Sequence, residues 1–335
     1  MTVKVRDITK ALDDITNGRC CKGPEDWASG KNPYVCVKSS GVPGKAVVET
    51  PGLVWGDPDM EVKKVAVLMT MTESAIELAA ATGVNAIIAH HTVAEACNSG
   101  GVLFKYYFGC YNLAAFELHE AFHGTHPGIP WLHGHKPYWT TTALGGETGM
   151  VAYVGEVLPE IKTVGDMMAR LDKLMNVTED LAMLDAERKI RGCEDLHETS
   201  IAARGKILLG SPDSPMKKVI HMFPHTGFSV RHLDMMIEQF PEVDTLMATI
   251  SRVYPGHDLI KRAEELGLNF VCGNSHGMEL FENGIPLAQA LKAHLPELDV
   301  RVFRERMTSF PVDEIGSPEM REYGKTMARD YLHRK

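Results

Sequence analysis

The sequence predicts an α/β protein built from two similar lobes, each with a mixed sheet flanked by helices. Two patterns support this fold class. Residues 62–68 and 86–89 are short apolar runs on either side of a helical pattern at 72–81, which is the order of a β-α-β unit with parallel strands. A second alternation of apolar runs and helical patterns extends over residues 206–303.

The chain begins with an amphipathic helical pattern and a long irregular segment. Residues 3–16 have helical periodicity. Residues 17–45 are rich in Gly, Pro, Lys and Cys and show little periodicity, so we expect a long loop. Long ordered loops are often functional. Because this one contains Trp27 and Tyr34, we expect it to line a substrate pocket.

The β-α-β unit follows this loop. Thr72 is the expected N-cap of its helix, Glu73 lies in the first helical turn, and Gly83 ends the helix. The second strand, at 85–89, is followed at once by the pair His90-His91. Ligands of open α/β sheets gather at the carboxyl ends of the strands, so this pair is a candidate site.

The remaining elements follow in order. In the first half we predict a turn at 98–101, a helix at 104–123, a turn at 125–128, a strand beginning at 129–131 and ending in Leu132-His133-Gly134-His135, and a Gly-rich strand at 145–155. In the second half we predict strands at 206–209, 219–223, 245–249, 269–272 and 299–303, a turn at 224–227, and helices at 229–239, 258–266 and 286–293. The predicted domains are an N-terminal α/β lobe at 1–160, a helical connector at 161–204 and a C-terminal α/β lobe at 205–335.

The composition excludes several classes of protein. With 44% hydrophobic residues, the 335-residue chain can bury a large core. The net charge of −9 includes no long basic run, which argues against nucleic-acid and anionic membrane surfaces and favours small-molecule ligands. No apolar segment reaches the roughly 20 residues of a membrane span, and the N-terminus lacks the apolar core of a signal peptide. We therefore expect a cytoplasmic protein.

Histidine is concentrated in one region, because seven of the fifteen histidines lie within residues 90–135. Adjacent side chains on an extended backbone point to opposite sides. His90 and His91 would therefore serve two metal ions, or one metal ion and a hydrogen bond, rather than chelate a single ion. Packing or capping is the alternative role for such a pair.

Three further groups of residues have spacings that suit metal ligands. His133 and His135 are alternate residues and share one face of an extended segment. His276 and Glu279 stand three apart after a strand, so at the start of a helix both can bind one ion or bridge two. The predicted helix at 104–123 has four polar residues at helical spacings, which form either a ligand set or a solvated polar face. They are Glu117, His119, Glu120 and His123. Since histidines follow strand ends in both lobes, we expect a metal site between the lobes.

Four segments in this order resemble the Nif three-like dinuclear metal-centre family, whose members are often labelled homologues of type 2 GTP cyclohydrolase I. The segments are TPGLVWGDPDMEVKKVAVLM, GVNAIIAHHTV, VDTLMATISRVYPGHDLIKRAEELGLNFVCGNSHGME and GIPLAQAL. The resemblance spans residues 3–304 and implies a ring-like homo-oligomer built from dimers or trimers, with a hexamer as one form.

The resemblance implies metal ligation by His90, His91, His276 and Glu279. The family places its Glu four positions after its late His, whereas the interval from His276 to Glu279 is three, so a shifted helix start or a role for Glu282 stays open. The family also has a central His and a central Asp. The matching stretch here is WLHGHKPYW, in which His133 corresponds to the His and His135 is the nearest substitute for the Asp.

The missing Asp has two consequences. Glu117 or Glu120 is a further candidate to replace it. We expect one or two divalent ions, of zinc, iron or manganese, and the shortage of carboxylates favours zinc or iron.

Two more histidines are candidates for the pocket. His257 resembles a histidine of the family's late segment, and His225 lies in a turn where the family has a Gly/Ser-rich loop. Either can act as a general acid or base, hydrogen-bond the substrate, or have a structural role. With Glu279 they are the predicted catalytic residues.

The function favoured by these features is a metal-dependent hydrolase that uses a metal-activated water on a small cyclic C–N substrate, such as an amide, imide or amidine. The first alternative is a metal-binding carrier or regulatory protein without turnover. The second is a phosphoester hydrolase, which the sequence favours less because it has neither a Gly-rich phosphate loop nor an Arg pair near the candidate ligands.

Overall fold

A computed structural model describes residues 2–39, 43–44, 46–93, 104–223, 227–248 and 253–332 of the chain. The strands in this part are β1 (Cys36–Ser39), β2 (Ala46–Glu49), β3 (Gly52–Trp55), β4 (Lys64–Leu68), β5 (Ala86–Ala89), β6 (Ala114–Glu117), β7 (His135–Thr141), β8 (Ala152–Val157), β9 (His197–Glu198), β10 (Lys206–Leu209), β11 (Lys218–Met222), β12 (Thr245–Ala248), β13 (Asn269–Cys272), β14 (Asp299–Val302) and β15 (Thr308–Ser309).

The α-helices are α1 (Val5–Ile15), α2 (Pro24–Ser29), α3 (Glu73–Thr82), α4 (Phe104–Tyr111), α5 (Gly128–Leu132), α6 (Val164–Leu174), α7 (Val177–Arg191), α8 (Thr199–Ala202), α9 (Val230–Gln239), α10 (Asp258–Glu265), α11 (Ile285–His294) and α12 (Pro318–Met327). Between β13 and α11 the chain forms a 3₁₀ turn at His276–Met278 and a π-helical turn at Leu280–Gly284.

The first sheet has the strand order β14-β4-β5-β6-β3. The first four strands are parallel, and β3 is antiparallel at the edge. Helices α1 and α11 pack on one face through Ile8, Leu12, Leu287 and Leu291, while α3 and α4 cover the other. A sheet covered on both faces needs strands that are apolar throughout, which explains the uninterrupted apolar runs of β4 and β5.

The β-α-β unit predicted at 62–89 forms β4, α3 and β5. Thr72 caps the helix by accepting a hydrogen bond at Oγ1 from the Ala75 amide (3.1 Å). Gly83 ends it with a φ of +71°, a conformation that glycine adopts without strain. The right-handed crossover brings β5 beside β4 with Ala89 opposite Leu68, and so fixes where the strand ends before His90.

The second sheet has the strand order β10-β13-β12-β11-β8-β7, with β11, β12 and β13 parallel. Helices α9 and α10 pack on one face, and α6 on the other. Strands β7 and β8 at its edge come from before residue 160, whereas β14, at 299–302, belongs to the first sheet. The chain is thus a mixed α/β protein in which both halves contribute to each sheet, and the domain boundaries at 160 and 205 stay a prediction.

Two predicted elements are wrong in the local structure. The helix predicted at 104–123 ends at Tyr111, and Asn112, with a φ of +51°, leads into β6. The apolar Ala114–Glu117 segment fills the position between β5 and β3, where all four residues are buried. Sheet pairing therefore overrides the helical spacing of the residues that follow.

The strand predicted to begin at 129–131 is wrong as well. These residues belong to α5, and β7 begins only at His135. Pro130 fits within the first turn of a helix, where no backbone donor is needed. Gly134, with a φ of +73°, makes the reversal into β7. The predicted turns at 98–101 and 224–226 lie outside the described residues.

Within the described residues, no helix combines the length and the apolar composition needed to cross a bilayer.

Gly155 is expected to be intolerant of a side chain. A Cβ at this position would lie 2.5 Å from His135 Nδ1 and 2.6 Å from the Lys136 carbonyl oxygen. Gly155→Ala should lower the free energy of unfolding by about 1–3 kcal/mol through overpacking, measured by urea denaturation. The control is Gly109→Ala in α4, where a Cβ meets open space, so stability should be unchanged or higher. Equal midpoints for both variants would contradict this account.

Candidate metal centre

The histidine pair lies where β5 ends, at the carboxyl edge of the first sheet. The amides of His90 and His91 donate to the carbonyls of Leu68 (2.9 Å) and Met69 (2.8 Å), so the pair continues the pairing of β5 with β4. His90 is fully buried, whereas the His91 side chain is 19% exposed. The pair therefore consists of an inner and an outer imidazole.

Glu279 contacts both rings of the pair. Its Oε1 lies 3.3 Å from His90 Nε2, and its Oε2 lies 3.1 Å from His91 Nε2. Asn283, on the same helical segment, donates from Nδ2 to Oε1 of Glu279 (3.1 Å) and lies 3.2 Å from His90 Nε2. Segments 188 residues apart in the chain thus meet at one buried carboxylate.

The turn after β6 adds three more side chains. His123 Nε2 lies 3.1 Å from His90 Nε2, and the His119 ring centre lies 4.9 Å from that of His90. Glu120 follows His119 and is 1% exposed. Strands β5 and β6 are parallel neighbours, so the residues after each of them meet at the same edge of the sheet.

Three groups of described residues have ligand atoms within 4.8 Å of one another, and each group could hold a metal ion. The groups are His90 with His119 and His123, His90 with His91 and Glu279, and Glu49 with His119 and Glu120. Together they form a single set, which we call the central cluster, made of Glu49, His90, His91, His119, Glu120, His123 and Glu279.

Three rings of the central cluster are held at Nδ1 by oxygen acceptors. The contacts are His90 Nδ1 to the Leu118 carbonyl (2.8 Å), His119 Nδ1 to Glu49 Oε1 (2.9 Å) and His123 Nδ1 to Glu120 Oε2 (3.1 Å). Carbonyl and carboxylate oxygens only accept, so each neutral ring has its proton on Nδ1 and its lone pair on Nε2. Metal-ligating histidines are oriented in this way.

His91 is held differently. Its Nδ1 lies 3.0 Å from Thr70 Oγ1. A hydroxyl can donate or accept, so Thr70 supports either tautomer of the ring. His91 can therefore donate from Nε2 to Glu279 or present an Nε2 lone pair to an ion.

The centre of the cluster is suited to a cation. The Nε2 atoms of His90 and His123 lie 3.1 Å apart, and Glu279 Oε1 is 4.0 Å from His123 Nε2. Two lone pairs at such a distance repel unless a proton or a metal ion lies between them. Imidazole nitrogens with a carboxylate oxygen are the ligands that zinc and iron accept, so these residues fit a divalent ion.

The protonation states also suit metal binding. Burial lowers the pKa of His90 and holds the pKa of His119 well below its usual range. Burial alone would raise the pKa of Glu279, but its contacts with His90 and His91 outweigh burial and hold that pKa well below its usual range. Neutral imidazoles and an ionised carboxylate are the forms that bind divalent ions.

Glu117 and His276 lie beside the central cluster. The Glu117 carboxylate accepts from the amides of Thr50 (2.8 Å) and Val93 (2.7 Å), so it fixes two loops at the cluster's edge. The His276 ring lies edge-on to His91, with 5.0 Å between ring centres, on the more exposed side of the pair.

Of the two histidines predicted to be catalytic, His257 is described and is not part of the central cluster. His257 is the N-cap of α10, where its Nδ1 accepts from the Leu259 amide (3.1 Å). Its ring packs against Tyr254. His225 lies outside the described residues.

His133 and His135 are fully buried in a second group, which we call the His133 cluster: His133, His135, His221 and Glu282. His135 Nε2 lies 3.1 Å from His221 Nδ1, and His133 Nε2 lies 3.6 Å from Glu282 Oε1. The Phe223 ring stacks on His123 of the central cluster (5.1 Å) and on His221 (5.9 Å). The HEAFH segment, and not WLHGH, therefore supplies the middle residues of the central cluster.

The sequence prediction did not select His119, His123 and Glu49 as ligands. The signal for the first two was present, since HEAFH follows an apolar run that forms a strand next to β5. Glu49 gave no signal, because its position depends on how β2 leads into β3.

The loop predicted to line a pocket does so, but at a distance from the cluster. A cavity of about 940 Å³ lies between α1, α2 and β3, and Trp27, Trp55 and Cys21 are among its lining residues. No residue of the central cluster lines it.

One family model matches part of the chain. Residues 44–94, which include the His90-His91 pair, match the sequence model of Duf34/NIF3, named after NGG1p interacting factor 3. No curated protein matches the chain in sequence.

Solved structures match over nearly the whole chain. Reduced HcgD from Methanocaldococcus jannaschii has a TM-score of 0.53 and 16% identity, over 90% of this chain and 98% of its own. A Bacillus cereus protein related to NIF3 has a TM-score of 0.53 and 13% identity, over 93% and 99%. A Staphylococcus aureus protein has a TM-score of 0.54 and 13% identity, over 90% and 96%. These similarities show a shared fold.

The buried histidines should make the metal-free protein sensitive to acid. Burial lowers the pKa of His135 from 6.5 to about 3. As the pH falls below 6.5, the unfolded chain takes up a proton that the folded chain takes up only near pH 3. The free energy of unfolding is therefore greatest above pH 6.5 and should fall by about 1.4 kcal/mol per pH unit for this residue alone.

Urea denaturation with a chelator, at several pH values below neutrality, measures this slope. His135→Gln should make it shallower, while His197→Gln, at an exposed site, should leave it unchanged. An identical slope in wild type and His135→Gln would contradict the assignment.

Proposed function

The chain belongs to the NIF3 family, and from this premise we propose that it is a metal-dependent hydrolase acting on a small cyclic C–N substrate. The observation that supports the proposal is the Glu279 carboxylate, whose two oxygens contact the two rings of the His90-His91 pair separately. A carboxylate placed in this way can bridge two ions.

The residues divide between two ion positions. We assign His90, His119 and His123 to an inner ion, since their ligand atoms already converge. We assign His91 and His276 to an outer ion, with Glu279 between the two. Five imidazoles and one carboxylate favour zinc or iron over manganese.

A bound divalent ion would supply a water of lowered pKa and would polarise the carbon under attack. The remaining tasks fall to the chain. Glu49 and Glu120 hold the rings of His119 and His123 at Nδ1 and so keep each Nε2 directed inward. Burial of His90 and Glu279 excludes bulk water from the inner side.

Substrate would approach from the outer side. His91 is the more exposed ring, and Thr70 and His276 border it. A ring-amide substrate needs a proton delivered to its leaving nitrogen, and His225 and His257 keep the role of general acid as a proposal. His225 and His257 remain proposals for substrate contacts, and the ring-like oligomer and the cytoplasmic location remain proposals as well.

One observation favours the alternative of a metal carrier or regulatory protein without turnover. Of the central cluster, only His91 has an appreciably exposed side chain, while His90, Glu120, His123 and Glu279 are at most 1% exposed. Such a centre would retain ions well and offer little surface to a substrate.

Metal analysis tests the centre itself. Purified protein should contain about one to two equivalents of zinc, iron or manganese in the central cluster, because its buried imidazoles and carboxylates form groups that suit such ions. Glu279→Gln and His90→Ala should lose the metal, and His91→Ala or His276→Ala should lose the outer ion selectively. His197→Ala, at an exposed histidine, should retain all of it. Wild-type metal content in both His90→Ala and Glu279→Gln would refute the centre.

Turnover tests the reaction. Hydrolysis of a cyclic amide, imide or amidine should disappear with a chelator and return when the metal is restored. Glu279→Gln should lower kcat by at least about 100-fold, because the centre is then not assembled. Metal-loaded protein that is inactive across a broad panel of ring amides would favour the carrier.

A further inference from the structure

The proposed function does not use the His133 cluster, although all four of its side chains are buried. His133, His135 and His221 are fully buried and Glu282 is 1% exposed. They lie where α5, β7 and β11 meet the π-helical turn Leu280–Gly284. Histidine and glutamate are seldom fully buried without polar partners, because burial removes their hydration.

The His133 ring is fixed with its lone pair toward Glu282. Its Nδ1 donates to the Ile129 carbonyl (2.9 Å), so the neutral ring has its lone pair on Nε2. Among the described residues, neither His133 Nε2 nor either carboxylate oxygen of Glu282 has a hydrogen bond of normal geometry. The ring nitrogen of His133 and the carboxyl group of Glu282 therefore lie close together without a hydrogen bond of normal geometry between them.

The separation of these atoms suits a shared ion. His133 Nε2 and Glu282 Oε1 are 3.6 Å apart, too far for a good hydrogen bond. Two ligands bound to one tetrahedral zinc at about 2.0–2.1 Å are about 3.3 Å apart. The observed distance differs from this value by only a few tenths of an ångström.

Neighbouring groups support a cation at this position. Burial, and then the charge of Glu279, holds the pKa of Glu282 well above its usual range, and a contact with Asn274 offsets this only in part, so a cation at this position would replace the proton of the Glu282 carboxyl. The His221 ring lies edge-on to His133 at 4.7 Å and is tied to His135 at 3.1 Å. Two carboxylates on one short turn also repel, so a cation at each would stabilise the segment.

We propose that His133 and Glu282 bind a structural divalent cation of the zinc class, at a site separate from the central cluster. His221, whose ring lies edge-on to His133, is the third imidazole beside this pair. The ion would fix the π-helical turn Leu280–Gly284, whose neighbour Glu279 contacts the His90-His91 pair. The assignment does not depend on the hydrolase proposal, since it concerns different ligands.

Zinc content and anomalous scattering test the site with the full-length protein. Zinc-loaded wild type should contain one equivalent more than Glu282→Gln, which keeps the shape of the side chain but binds zinc poorly. His90→Ala should lose the central ions and keep this equivalent. An anomalous map of zinc-loaded wild type should show a peak between His133 and Glu282, and this measurement needs no variant to fold.

Thermal unfolding gives a second readout. In the His90→Ala background, zinc should raise the Tm, and adding Glu282→Gln or His133→Gln should abolish the shift. His294→Gln, an exposed histidine on α11, is the control. Equal zinc content in wild type and Glu282→Gln, or an anomalous map with peaks only at the central cluster, would overturn the proposal. Zinc-loaded wild type with a peak between His133 and Glu282 but none at the central cluster would refute the proposed function and leave this site standing.

Discussion

The geometry of the central cluster depends on hydrogen bonds that hold the histidines at Nδ1. The Leu118 carbonyl, Glu49 and Glu120 each accept from one ring, so three Nε2 lone pairs face a common volume. Each acceptor is itself placed by the fold, since it stands at the end of a strand or in the turn after one. A lone pair directed at another lone pair is unfavourable in a buried site, and only a cation removes the conflict.

Local sequence was sufficient for the part of the site that follows β5. The apolar run at 85–89, the helix stop at Gly83 and the rule for parallel strands placed His90-His91 at a ligand-binding edge. The neighbouring HEAFH segment was assigned to a helix, because its glutamates and histidines have helical spacing. Ala114–Glu117 forms a strand because it pairs with β5 on one side and β3 on the other. This pairing depends on residues distant in sequence, so the local periodicity of the segment cannot predict it.

The same limit explains His133 and His135. Their alternation was read as one face of a strand directed at the single expected site. In the structure only His135 belongs to β7, and β7 pairs with β8 at the edge of the second sheet. His133 ends the helical segment before it. Residue spacing identified these histidines as unusual, but only the pairing of strands decides which sheet, and therefore which cluster, a residue joins.

The segment after β13 connects the two clusters electrostatically. Glu279 and Glu282 stand three residues apart and are both buried, so their charges disfavour each other in a medium of low dielectric constant. Glu279 stays ionised because it lies against both His90 and His91, while Glu282 faces a single imidazole at 3.6 Å. Whether Glu282 is protonated therefore depends on whether a cation is bound beside His133. A cation there would make both carboxylates anionic at neutral pH and would hold the turn at both ends, which ties the position of Glu279 to a group outside the central cluster.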